Sequence, residues 1–200
     1  MRVSRVARQV GLSGVLALAL ISMTATAATA APSSGRTAPP PANSAHANAL
    51  PKPPPPPTGV RPDTASPSVC MNAHVENIGW QGWVCGAGIE VGTEGQGLQM
   101  EALEIISYST GGFCAQAHVE NIGWMGMDCE PDGSEVDVGT TGLALRMEAV
   151  RLEIGTGVLC AQAHVQDLGW LKATCNVGGQ VIEVGTVGLG LQMEKLRVTV

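Results

Sequence analysis

The sequence predicts an all-β domain of three pseudo-symmetric repeats, each of about four antiparallel strands, in a β-prism-like arrangement or, alternatively, a β-trefoil. Three observations lead there. The segment H-V-E-N-I-G-W stands at 74–80 and 118–124 and returns as H-V-Q-D-L-G-W at 164–170, at intervals of 44 and 46 residues. Each copy is followed by a second shared half: G-T-E-G-Q-G-L-Q-M-E at 92–101, G-T-T-G-L-A-L-R-M-E at 139–148 and G-T-V-G-L-G-L-Q-M-E at 185–194. Between these marks the apolar residues alternate with period two, the signature of half-buried strands. A unit this short cannot bury its apolar face alone, so the copies (69–109, 113–155 and 159–200) must fold against one another.

Within copy one, the first strand covers about residues 69–76, with Ala73 and Val75 on one face and Asn72, His74 and Glu76 on the other. The dipeptides Asn77-Ile78, Asn121-Ile122 and Asp167-Leu168 precede Gly79, Gly123 and Gly169, which suits a short turn with a left-handed Gly. A second strand then runs from Trp80 to Cys85. All six cysteines lie in the repeats, one pair per copy at a separation of fifteen: Cys70 and Cys85, Cys114 and Cys129, Cys160 and Cys175. Six cysteines allow fifteen connectivities, and the pseudo-symmetry selects pairing within each copy across the hairpin. Zinc is disfavoured because the tight C-x2-C clusters of zinc sites are lacking.

A third short strand alternates Ile89/Val91, Val136/Val138 and Ile182/Val184 with Glu90, Asp137 and Glu183. In the fourth, Leu98 and Met100 are in phase, but Leu103 and Ile105 come one position late. The slip recurs in the other copies, and it predicts β-bulges at Glu101–Ala102, Glu148–Ala149 and Glu194–Lys195. The three glutamates are expected to cap backbone N–H groups beside those bulges.

Outside the repeats the chain has two segments. Residues 1–30 read as a secretory signal: Arg2, Arg5 and Arg8, then the uncharged stretch Gly11–Met23, then Ala28-Thr29-Ala30 as a small-x-small cleavage pattern. That stretch is shorter than the ~20 residues of a membrane span, so a secreted or cell-surface protein without an integral membrane segment is expected. Residues 31–67 hold twelve of the thirteen prolines and read as a disordered linker of up to roughly 100 Å when extended. The domain at 68–200 carries sixteen acidic against five basic residues, a net charge near −11. Such a surface repels phosphate backbones and excludes nucleic acid as a partner. A monomer is expected.

Aromatics number only six in 200 residues, so their positions are informative. Trp80, Trp124 and Trp170 recur after the turn Gly and read either as core anchors or as rings that stack on a sugar. Trp83 stands in copy one only and is expected to be the more exposed ring. His74, His118 and His164 share one position. They read either as separate strand histidines bonded to backbone or to a carboxylate, or as a three-histidine cluster on the threefold axis. The run from Glu130 to Asp137 has calcium-loop flavour but not EF-hand spacing, and reads as a solvated turn. The G-T-x-G segments are turns and not phosphate loops, since no helix follows and no Lys-Ser/Thr is present. No Ser/His/Asp or Cys/His nucleophile can be assembled, and neither a metal nor a cofactor is expected.

At H-V-E-N-I-G-W-Q-G-W, then G-T-x-G, then L-x-M-E-A-L-E-I, the chain resembles the clostridial hydrophobic repeat with a conserved tryptophan, the ChW repeat. The resemblance covers about residues 69–200, and copy one is nearest because it alone holds the W-x-x-W pair Trp80 and Trp83. The cysteine pairs lie outside the resemblance. It implies an exported or surface protein whose repeats bind a polysaccharide, cell wall or another surface ligand, with no catalytic residue. A secreted, non-catalytic binding module for carbohydrate or a cell-envelope ligand is therefore the expected function. An extracellular protein-interaction or surface-structural module is the alternative.

Overall fold

The computed structural model describes residues 66–200; the expected signal and linker lie outside the described residues. The first repeat forms β1 (Ser68–Val75), β2 (Gly79–Trp80), β3 (Val84–Gly86), β4 (Gly88–Gly92) and β5 (Met100–Tyr108). The second forms β6 (Phe113–Val119), β7 (Gly123–Trp124), β8 (Asp128–Glu130), β9 (Glu135–Gly139) and β10 (Met147–Ile154). The third forms β11 (Val158–Val165), β12 (Gly169–Trp170), β13 (Thr174–Val177), β14 (Ile182–Gly185) and β15 (Met193–Thr199). No helix of the described residues is long and apolar enough to cross a membrane.

These strands make three antiparallel sheets and no closed barrel, which is the prism-like arrangement and not the trefoil. The faces are not single repeats, however. Sheet one joins β1, β2, β3 and β5 to β9 of the second repeat, sheet two takes β14 from the third, and sheet three takes β4 from the first. Every repeat thus lends its fourth strand to the sheet before it in cyclic order. The first and last repeats are closed by β15 on β4 and by Val200 N–H donating to the Ala87 carbonyl at 2.8 Å. Inward residues of all three sheets, among them Met71, Ala73, Leu103, Val119, Leu152 and Leu196, form one continuous buried cluster.

The expected second strand is broken in every copy, which raises the count per repeat from four to five. His74 opposes Trp80, but Cys70 opposes Cys85, so the return strand has gained one residue between the two pairs. The side chain beneath the break replaces the lost ladder bonds. Asn72 Oδ1 accepts from Gly82 N–H at 2.8 Å, while Gln116 and Gln162 donate to the carbonyls of Met125 and Leu171 at 2.6 and 2.7 Å. This slip brings the cysteines face to face, and all three within-repeat disulfides form. The turns hold Asn77, Asn121 and Asp167 at φ near +60° and the following Gly in the same left-handed region. Asn and Asp tolerate that conformation best among residues with a Cβ.

The bulges fall where the phase slip places them. His74 pairs with Ala102 and Val75 with Met100, which leaves Glu101 unpaired, and Glu148 and Glu194 are left out in the same way. Their carbonyls accept the N–H of Thr140, Thr186 and Thr93 of the neighbouring repeat at 2.8–2.9 Å. This contact explains the Gly of each G-T-x-G. Gly92, Gly139 and Gly185 have φ of 95–104°, and a Cβ there would overlap the bulge carbonyl of Glu194, Glu101 and Glu148 respectively.

Two outcomes follow. Gly139→Ala, at positive φ and clashing with Glu101, should cost about 1–3 kcal/mol or more, whereas Gly95→Ala, also at positive φ but with open space around its Cβ, should cost visibly less. Equal melting temperatures for the two variants would show that the close approach is not constraining. Replacing Cys114 and Cys129 with serine should lower stability by about 3 kcal/mol, read by denaturant titration; an unchanged midpoint would contradict it.

Candidate functional site

Each hairpin end carries the same three side chains on its outer face. Because Ala73 and Val75 point into the core, His74 points away from it, and its register partner Trp80 lies beside it. The His and Trp rings meet edge to face, with centroids 5.2, 5.1 and 5.4 Å apart in the three copies. On the other side of the imidazole stands the bulge glutamate. His74 Nδ1 lies 3.0 Å from Glu101 Oε2, and His118–Glu148 and His164–Glu194 are each at 3.1 Å. The ring N–H groups are off the line of a well-aligned hydrogen bond, so the contact is one of proximity and charge. All three carboxylates are buried. The bulge thus re-aims a glutamate at the histidine, where capping of backbone N–H groups was expected.

The copies then diverge. In the second and third, an arginine lies over the Trp ring: Arg151 3.9 Å from the Trp124 centroid and Arg197 4.4 Å from that of Trp170. Each guanidinium also donates to the glutamine of the adjacent strand, Gln116 at 3.2 Å and Gln162 at 2.9 Å. Each further pairs with a carboxylate across the sheet, Glu183 or Glu90. Hydrogen bonds from Lys195 and Arg197 hold Glu90 below the usual carboxylate range. In the first copy both members of this pair are exchanged, with Asn72 Nδ2 donating to Glu104 at 2.9 Å. No cation lies over Trp80 among the described residues. Glu104 instead has Glu135 and Asp137 beside it, carboxylate oxygens within 4.8 Å, where the other sheets place an Arg–Glu pair.

The sequence candidates fall as follows. Trp80, Trp124 and Trp170 are half-buried and outside the core cluster, so they are not core anchors. Trp83 is also half-buried, with its Nε1 enclosed. His74, His118 and His164 belong to three separate sheets, each with its own Glu and Trp, and do not converge. Asp132 of the calcium-flavoured turn is a clasp. Its carboxylate accepts from Ser107 Oγ at 2.8 Å, Thr110 Oγ1 at 2.9 Å and Gly111 N–H at 2.9 Å. Burial raises this carboxyl, and those hydrogen bonds override the effect to hold it below the usual aspartate value. The arginines over Trp were not anticipated. The signal was nevertheless present: Arg151 and Arg197 accompany Gln116 and Gln162, and both positions change together in copy one.

Two grooves flank these features. One of about 360 Å³ lies at the other end of the second hairpin beside Cys114 and Cys129, away from every Trp and His of the set. The other, about 280 Å³, is lined by His74, Glu76, Asn77 and Glu101 of the first repeat and Thr141 and Ala144 of the second.

Fold and sites together define an all-β repeat module with one Trp–His–Glu set per repeat. Residues 74–106 and 118–155 match the family model ChW: Clostridial hydrophobic W, consistent with two copies of that repeat. No curated protein and no solved structure matches the chain.

Glu148→Ala would leave His118 Nδ1 enclosed without its carboxylate and should cost about 1–3 kcal/mol. The emission of Trp124 should shift with it in a background of the other tryptophans replaced by Phe. An unaltered melting temperature and spectrum would show that the pair is inert.

Proposed function

We propose that the chain is an exported, non-catalytic binding module for a polysaccharide or another cell-envelope ligand, with the partly exposed Trp of the hairpin ends as its contacts, Trp80 foremost because no described cation lies over it. The observation that carries this reading is the placement of Trp80, Trp124 and Trp170 outside the core and on the outer face, each ring oriented by a neighbouring His. An aromatic ring held rigid and half-exposed offers apolar area at little entropic cost, which is what stacking on a sugar face requires. The bulge glutamates support a non-catalytic role because each is engaged by a histidine of its own repeat. Domain acidity favours neutral or cationic ligands over phosphate-rich ones.

A protein-interaction module is the second reading, and one observation favours it. Ile78, Ile122 and Leu168 at the turn tips are about half-exposed, at 48, 49 and 50%. It predicts capture of an exported protein, lost in Ile78→Ser, and indifference to sugars. For the first reading, titration with a glycan panel and peptidoglycan fragments should change Trp emission, and Trp80→Ala should weaken binding roughly tenfold or more. Absence of binding to every glycan would overturn it.

A further inference from the structure

The three repeat junctions are built alike, yet two are filled by the chain itself. At the junction of repeats two and three, Arg146 spans Glu120 at 2.8 Å and Glu148 at 3.3 Å, beside His118. At the junction of repeats three and one, Glu94 reaches within 4.0 Å of His164 Nε2, and Lys195 lies 3.6 Å from Glu94 and 2.7 Å from Glu90. The first of these cations pairs with the bulge glutamate itself, and the second with the loop glutamate that faces the histidine.

At the junction of repeats one and two the same positions are occupied differently. Gln99 stands where the second repeat has Arg146 and donates to Glu101 Oε1 at 3.0 Å, as Gln192 of the third repeat does to Glu194 at 3.4 Å, but Ala102 stands where the third repeat has Lys195. Thr141 stands where the first repeat's loop has Glu94. What is left is the 280 Å³ groove, lined by two carboxylates, Glu76 and Glu101, and by no basic residue. His74 lines it with a side chain only 8% exposed, and its Nε2 has no hydrogen-bond partner. With Glu101 3.0 Å from Nδ1, Nε2 is the ring nitrogen left for a ligand. Two carboxylates around one concavity call for a donor that carries positive charge. The second repeat supplies an internal template, since a guanidinium occupies that position there. Trp80, 5.2 Å from His74, is the recurrent Trp over which no described cation lies.

We propose that the groove between repeats one and two is the ligand site of this domain and takes the ammonium of an amino sugar, a de-N-acetylated hexosamine unit of an envelope glycan. This rests on the carbohydrate reading above. The ammonium replaces the Arg146 guanidinium between Glu76 and Glu101, a sugar hydroxyl bonds to His74 Nε2, and Trp80 offers its ring to the sugar face. The other two junctions are structural copies sealed by Arg146 and by Glu94 with Lys195. N-acetylation removes the charge and adds bulk, so it opposes binding.

The test is calorimetric titration of the disulfide-intact domain with glucosamine oligomers and with N-acetylglucosamine oligomers of equal length. One site per chain is expected for the free-amine oligomer, with the acetylated one at least roughly tenfold weaker. Gln99→Arg, which installs the residue of the second repeat, should abolish binding with the melting temperature kept or raised. Glu76→Gln, at a half-exposed position, should weaken binding roughly tenfold and serves if Gln99→Arg does not fold. Equal binding of both oligomers, or binding that survives both variants, overturns this site while leaving the carbohydrate reading intact. Failure of every glycan to bind overturns both. A lysine-containing peptide that binds in place of the sugar, and is lost in Gln99→Arg, overturns the amino-sugar assignment.

Discussion

At Glu101, Glu148 and Glu194 one extra residue enters the inner strand of a sheet, and the contacts that join one repeat to the next meet there. The carbonyl of the extra residue accepts the Thr N–H of the following G-T-x-G loop, which docks the borrowed strand. Its side chain, displaced from the normal alternation, turns to the histidine on the adjacent strand. Without the bulge the glutamate would keep the alternation of its strand and the loop would lose its acceptor. A single backbone irregularity therefore couples strand exchange to the geometry of the outer-face site.

Strand exchange in turn makes the domain cooperative. A repeat that lends one strand and receives another cannot fold as an isolated unit, because its sheet is incomplete and its loop has no bulge to dock on. The disulfides act at the opposite end of each hairpin from the bulge, where the slipped return strand would otherwise be held by few ladder bonds. Closure of β15 on β4 removes the free end that a linear array would have, and the symmetry is completed by residues more than 100 positions apart.

Symmetry of backbone is not symmetry of chemistry. The pair Gln116–Arg151, repeated as Gln162–Arg197, becomes Asn72–Glu104 in the first copy, and the cation over Trp goes with it. Arg146 becomes Gln99, and the cation beside the histidine goes too. The first exchange is confined to copy one, which also carries Trp83, whereas the third copy has Gln192 at the Arg146 position and sets Lys195 beside Glu94 instead. Repeats two and three have spent their cations on internal contacts, whereas repeat one leaves its aromatic ring and its groove to the surroundings.

Much of this was legible in the linear chain. The fifteen-residue cysteine spacing fixed the bridges because pseudo-symmetry left one sensible pairing, and the phase slip after Met100, Met147 and Met193 located the bulges because period two tolerates no other insertion in a buried strand. The break in the second strand at 81–83 was not legible. It leaves no apolar mark and is held by side chains from a strand ten residues away. The turn of the bulge glutamates to the histidines is hidden in the sequence for a similar reason, since nothing local says that an imidazole on another strand waits at 3.0 Å. The sequence by itself determined the repeat, the disulfide pairs, the bulges and the outward face of the histidines, all of which follow from short-range periodicity. Only the tertiary structure decided which sheet each fourth strand joins, that the histidines stay apart, and which junction is open. Those depend on contacts between repeats, which periodicity within one repeat does not encode.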